Sequence, residues 1–84
     1  MAPDARPVEV HLFAAARAAA GSGRLEVPPG SLDAVLASAV TQAPGLAAVL
    51  PRCSVLLDGL VAPERGVEVP PGARVDVLPP FAGG

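Results

Sequence analysis

The sequence predicts an α+β domain in which one main helix covers one face of a small mixed sheet of about five strands. Three stretches of the chain carry this prediction. Apolar and polar residues alternate over 8–13 and again over 73–78, as in strands that are buried on one face only. Between them, residues 32–43 place apolar side chains at helical spacing. A chain of 84 residues has room for one such domain and no second one.

The first part of the chain predicts two strands separated by a short helical turn. The alternating stretch 8–13 is the first strand, and the alanine-rich stretch 14–20 favours a helical turn that Gly21 would close. Residues 24–27 alternate again, and the Pro-Pro-Gly sequence at 28–30 ends that strand because proline cannot donate to a ladder. We expect the two strands to pair like a hairpin.

The main helix begins after Ser31, which is a favourable N-cap residue, and Asp33 adds a negative charge to its first turn. Its apolar stripe repeats at intervals of three and four residues. The stripe consists of Leu32, Val35, Leu36, Ala39, Val40 and Ala43. Pro44-Gly45 should end the helix, and one further turn is expected before Pro51.

The last part of the chain predicts a tight hairpin and a final strand. Asp58-Gly59 favours a two-residue turn between strands at 54–57 and 60–61. A turn-rich stretch at 63–71 leads to the last strand. The domain organisation that follows is a flexible N-terminus at 1–7, a folded domain at 8–78 and an extended tail at 79–84.

The composition excludes several classes of protein. The net charge is −2 and the six basic residues are scattered arginines, so no nucleic-acid surface is predicted. One cysteine rules out an intramolecular disulfide. The N-terminal region fits neither a signal peptide nor a membrane-spanning helix. We therefore expect a cytoplasmic protein that binds no membrane.

No set of side chains predicts an active site or a bound cofactor. His11 and Cys53 are the only metal-binding or nucleophilic candidates of their kinds, and one of each cannot complete a zinc site. Asp33 and Asp58 are explained by the helix and the turn. The Gly-rich stretch 21–23 lacks the Lys and Ser/Thr of a phosphate-binding loop.

The tail Pro79-Pro80-Phe81-Ala82-Gly83-Gly84, following a strand that ends in Val77-Leu78, resembles the C-terminus of MoaD-type sulfur carriers. The similarity extends backward through Asp58-Gly59 and the Ser-capped helix to Leu12-Phe13-Ala14. It covers residues 8–84 and identifies the chain with the MoaD/ThiS family, closest to MoaD because of the two prolines. The resemblance implies a β-grasp, ubiquitin-like fold.

The resemblance also implies a function for Gly84, whose carboxylate is adenylated with ATP by a partner of the ubiquitin-activating type (MoeB/ThiF-like). A sulfurtransferase then supplies the sulfur of a thiocarboxylate. The chain would be the sulfur-donating, non-catalytic small subunit of molybdopterin synthase, beside a MoaE-like large subunit, in molybdenum cofactor biosynthesis. Alternatives are delivery of sulfur to thiamine, cysteine or a natural product, a protein modifier joined to lysines, and a β-grasp binding module.

Each part of the tail suits delivery into an enclosed site. An α-carboxylate is ionised at neutral pH and needs no local base. Gly83 and Gly84 have no Cβ and can pass a narrow channel. Pro79 and Pro80 keep the first part of the tail extended and stiff. Six residues reach about 20 Å.

Apolar residues near the tail are candidates for contact with a partner. Phe81 and Ala82 would lie at the channel mouth, and Phe81 would anchor there or fold back on its own sheet. Phe13 and Leu78 are predicted on the sheet face opposite the helix. They would form a partner surface or remain scattered surface residues.

Overall fold

Five strands form the main sheet of this computed structural model, which describes residues 6–62 and 64–80. The elements in chain order are β1 (Val8–Leu12), α1 (Ala14–Ala20), β2 (Arg24–Val27), β3 (Gly30–Ser31), α2 (Leu32–Gln42), β4 (Ser54–Leu57), β5 (Leu60–Val61), β6 (Glu68–Val69) and β7 (Arg74–Leu78). Two 3₁₀ segments, Pro44–Ala48 and Leu50–Arg52, join α2 to β4. The predicted α+β class is confirmed.

The sheet is mixed, as predicted, with the strand order β2-β1-β7-β4-β5. β1 and β7 run parallel at its centre, and the other neighbouring strands are antiparallel. The register pairs Val10 with Val75 and Leu12 with Val77, so the apolar residues of both strands lie on one face. The first and last strands of the domain therefore form the middle of the sheet.

Helix α2 covers that face. The Ser31 hydroxyl accepts a hydrogen bond from the Ala34 N–H at 3.2 Å, which confirms the expected N-cap. Leu32, Val35 and Leu36 are buried against the sheet, as the helical spacing predicted. Each fully buried aliphatic side chain of this kind contributes about 1.5–3 kcal/mol.

The core is almost entirely aliphatic. Its largest fully buried side chains are Leu12, Leu32, Leu46, Val8, Val10, Val27, Val35, Val69, Val75 and Val77. Among the described residues, no polar or charged side chain is buried. The interior of the described part therefore stabilises the fold and contains no polar side chain that could take part in a reaction.

A second, two-stranded sheet was not predicted. β3 pairs with β6, and beyond it the N–H groups of Leu32 and Asp33 donate to the carbonyls of Val67 and Arg65 at 2.8 and 2.9 Å. The stretch predicted as turns thus holds the N-terminus of α2 in place.

Candidate functional site

The tail begins at the centre of the sheet. β7 lies between β1 and β4, and its last pair joins Leu78 to Ser54. Pro79 and Pro80 follow, one half-buried and the other exposed, and neither has an N–H to extend the ladder. The sheet therefore stops where the sequence predicted, and Pro79-Pro80 follow a strand that is anchored on both sides.

The remaining tail residues lie outside the described residues. Phe81 and Ala82, expected at a channel mouth, and Gly83 and Gly84, expected in the channel and at the reaction, keep these roles as predictions.

Phe13 lies beside the end of β7. Its N–H donates to the Val77 carbonyl at 3.2 Å, and its extended backbone (φ −120°, ψ 152°) continues the alternation of β1. Its side chain is 38% exposed, and by that alternation it faces away from α2. Leu78 is half-buried and lies on the same open face of the sheet. Both residues thus occupy the predicted face, near the root of the tail.

The open face carries two further apolar residues that the sequence prediction did not single out. Leu56 of β4 pairs with Asp76 on one side and with Val61 on the other. Val61 is 77% exposed on the edge strand β5. We call Phe13, Leu56, Val61 and Leu78 together the apolar patch. Strand alternation alone would have indicated Leu56 and Val61, but their place beside Leu78 depends on cross-strand register.

The other half of the open face is charged, and its charges pair with one another. The Arg24 guanidinium lies 2.6 Å from Glu26 and 3.8 Å from Glu9, and the Arg74 guanidinium lies 2.7 Å from Asp76. Three carboxylates thus share two guanidiniums, so this half has a small excess of negative charge and both of its guanidiniums are paired.

His11 belongs to that charged half. Its Nε2 lies 3.0 Å from the Glu9 carboxylate. The hydrogen bond from His11, and then the nearby charge of Arg24, lower the pKa of Glu9 below its ordinary value. His11 lies on a strand as expected, but its side chain is only 22% exposed, so it is half-buried beside Glu9 rather than fully solvated.

Cys53 lies apart from the open face. It is buried, and its Sγ donates to the Val49 carbonyl at 3.3 Å. Burial raises the pKa of the thiol, and the charge of Arg65 opposes that rise. The thiol is therefore a packed, protonated group.

Two further features concern residues 6–62 and 64–80 only. Neither helix there is long and apolar enough to cross a membrane. No three side chains of His, Cys, Asp or Glu come together as metal ligands in that part of the chain.

Known proteins share this architecture. The crystal structure of SAMP1 from Haloferax volcanii is 26% identical, with 93% of this chain and 99% of that one covered and a TM-score of 0.84. The solution structure of small archaeal modifier protein 1 from Methanosarcina acetivorans is 25% identical, with 98% and 100% covered and a TM-score of 0.78.

A third similar structure is a complex of subunits 1 and 2 of the molybdopterin-converting factor from Helicobacter pylori 26695. It is 22% identical, covers 93% of this chain and 99% of that one, and has a TM-score of 0.72, which supports the fold. A comparison with curated proteins finds no match.

The family comparison extends into the tail. The model of the ThiS family matches residues 10–84, from the middle of β1 to the last glycine. The strand order, the covering helix and these structural neighbours confirm the β-grasp fold. The chain belongs to the ThiS family and is a ubiquitin-like protein of the MoaD/ThiS type.

Proposed function

We propose that the chain is a sulfur carrier whose Gly84 carboxylate is adenylated and then converted to a thiocarboxylate. The observation that carries the proposal is the extent of the family match, which runs through Pro79-Pro80 to Gly84. The position of the tail's first residue, Pro79, also supports the proposal. Pro79 follows directly on β7, a central strand that is hydrogen-bonded on both sides. A rigid root lets a partner bind the body and receive the tail with little loss of entropy.

The chemistry needs only the tail from this chain. A carboxylate oxygen of Gly84 attacks the α-phosphorus of ATP on the adenylyltransferase, and pyrophosphate leaves. The terminal sulfur of a persulfide on the sulfurtransferase then attacks the acyl carbon and AMP leaves, and a thiol cleaves the resulting acyl disulfide to release the thiocarboxylate. The carboxylate is ionised near neutral pH, so the body needs no general base to activate it. The proposed reaction uses ATP on the partner and no cofactor bound to this chain, and we place it in the cytoplasm.

The receiving pathway we propose is molybdopterin synthesis, with the chain as small subunit beside a MoaE-like large subunit. The two prolines before Phe81 support it, as does the fold shared with a molybdopterin-converting factor complex. The apolar patch supplies a surface for the large subunit on the side from which the tail leaves.

Protein modification is the second candidate. The similarity to two archaeal modifier proteins, at 25–26% identity over nearly the whole chain, favours it. In that reaction the amine of a target lysine attacks the activated acyl carbon, and AMP leaves with formation of an amide bond. Both candidates use the same adenylated glycine and differ in the nucleophile that follows.

Intact mass after expression in cells that contain the partner proteins separates the candidates. One sulfur-for-oxygen exchange at the C-terminus supports sulfur carriage, and conjugates with other proteins support modification. Deleting Gly84 should abolish adenylation and leave thermal unfolding unchanged, and G66A, at an exposed glycine with open space around it, is the matched control. A truncated chain that is adenylated like the wild type would overturn both candidates.

Complementation tests the pathway. A strain that lacks its molybdopterin synthase small subunit should recover cofactor synthesis with the wild-type chain and not with the truncated one. Failure to bind a MoaE-like subunit, in a chain that does become thiocarboxylated, would redirect the sulfur to another pathway.

A further inference from the structure

A groove of about 290 Å³ lies at the root of the tail. Its lining residues come from three parts of the chain and are Ala15, Val49, Arg52, Pro79 and Pro80. Four of these five are apolar, so Arg52 supplies the one charge among the described lining residues. The groove is open and mostly apolar, a form that suits side chains of another protein.

The walls of the groove are held in place. Gly45, in the first 3₁₀ segment, packs so closely on α1 that a Cβ there would collide with the Ala19 carbonyl oxygen. The Leu46 side chain of the same segment is fully buried. The Val49 N–H donates to the Leu46 carbonyl at 3.1 Å, and the Arg52 N–H donates to the Val49 carbonyl at 3.0 Å. Arg52 is therefore presented from a fixed backbone.

The guanidinium of Arg52 has no ion pair within residues 6–62 and 64–80. Arg24 and Arg74, by contrast, each lie within 4 Å of a carboxylate on the open face. Arg52 is exposed, so its charge is available to a carboxylate from outside. A guanidinium can bind a carboxylate through two parallel hydrogen bonds, a geometry that lysine cannot provide.

We propose that the groove is a docking site for an acidic side chain of the adenylating partner, bound by Arg52 beside the emerging tail. The inference rests on the proposed function and deepens it by naming a contact that positions the body. Gly84 is four residues beyond Pro80, so an enzyme that encloses it comes within about 13 Å of the groove, one wall of which is formed by Pro79 and Pro80. Charge complementarity then selects a carboxylate with an apolar neighbour that fills the groove.

The test is ATP–pyrophosphate exchange by a MoeB/ThiF-like adenylyltransferase from the same organism, with the full chain as substrate. R52E should raise the KM for the carrier about tenfold and leave kcat unchanged, since the contact positions the body and does not touch the reacting atoms. The KM of R52K should lie between those of R52E and the wild type. R65E is the matched control, because Arg65 is also exposed and lies outside the groove, and its KM should stay within about twofold of the wild type.

Salt provides a second readout. Raising the ionic strength should raise the KM of the wild type more steeply than that of R52Q. Equal values of KM for R52E and R65E would overturn the docking site, as would a loss confined to kcat. A lower KM for R52E would assign the groove to the chain's own tail and would also overturn it. If the wild type supports no exchange at all, the proposed function fails, and the docking site fails with it.

Discussion

The Asp58 carboxylate accepts a hydrogen bond from the Arg74 N–H at 2.9 Å, while the Asp58 N–H donates to the Arg74 carbonyl at 2.8 Å. Asp58 is a turn residue with a positive φ of 48°, followed by Gly59 at 85°. The turn is thereby joined to the first residue of the strand that ends at the tail. The predicted role of Asp58 as a turn former is confirmed, and it has a second function in holding β7.

Replacing Asp58 should destabilise the domain by an amount that depends on the acceptor. D58A removes the acceptor and leaves a residue that disfavours positive φ, so we expect a loss of about 1–3 kcal/mol. D58N keeps an acceptor oxygen and tolerates the left-handed region, so it should cost less than half as much. Urea unfolding of both variants measures the difference. Equal stabilities would show that the carboxamide and the methyl group are interchangeable, contrary to this account.

Ala14 has a φ of 48°, a left-handed value at the start of α1 directly after Phe13. A14G should stabilise the domain by about 0.5–1 kcal/mol, because glycine removes the steric cost of this conformation. Ala18 is exposed in the same helix, and A18G should have the opposite sign, a loss of about 0.5–1 kcal/mol. Thermal unfolding measures both. A destabilised A14G would mean that this conformation carries no strain.

Elements with a clear hydrophobic period could be predicted from the sequence, and contacts set by register could not. The stripe of α2 and the alternation of β1 and β7 were sufficient to predict helix and strands, because burial imposes their periods. β3 and β6 have two residues each, too few to show a period, so their pairing was missed.

The residues of the candidate site also fall into two groups, those that a local sequence pattern predicts and those that depend on contacts between distant parts of the chain. Phe13 and Leu78 could be placed on the open face from alternation alone. The predicted turn at Asp58-Gly59 already pairs Leu56 with Val61, but both approach Leu78 only through the pairing of β4 with β7, which the sequence does not specify. The groove at Arg52 needs the packing of α1 on the 3₁₀ segments, a relationship that no local pattern indicates.

The apolar patch should contribute to binding and little to stability. V61E introduces a charge on a side chain that is 77% exposed, so the fold should tolerate it. If the patch contacts the large subunit, an uncompensated charge there should weaken binding about tenfold or more. A37E changes an exposed residue of α2, on the other side of the sheet, and should leave the affinity within about twofold of the wild type. Calorimetric titration measures both, and an unchanged affinity for V61E would exclude Val61 from the interface.

The pair of His11 and Glu9 predicts a pH effect with a definite sign. The pKa of Glu9 is lowered, first by the hydrogen bond from His11 and then by the charge of Arg24. A group whose pKa is lower in the folded state stabilises the fold above its unfolded-state pKa, and this contribution is lost as the pH falls through the folded-state pKa. Glu9 is exposed enough that the effect on stability should be small.

The titration of Glu9 itself is the sharper measurement. In H11V, which removes the hydrogen-bond donor, the midpoint of the Glu9 carboxyl, followed by NMR, should rise toward the ordinary value for a glutamate. R24Q should raise it less, because Arg24 is the smaller cause. A midpoint that moves in R24Q and not in H11V would reverse this order of causes.

Cys53 should be dispensable for sulfur transfer, although it is the one thiol of the chain. The thiol is buried, its pKa is raised by burial, and it donates to the Val49 carbonyl, so it is poorly placed to attack a sulfur donor. Iodoacetamide should therefore modify it much more slowly in the folded protein than in urea. C53A should lose about 1 kcal/mol of stability from the small cavity it leaves and should still accept sulfur at Gly84 like the wild type. A C53A chain that is adenylated normally but gains no sulfur would contradict this prediction. It would show that Cys53 accepts the sulfur first and passes it on to Gly84.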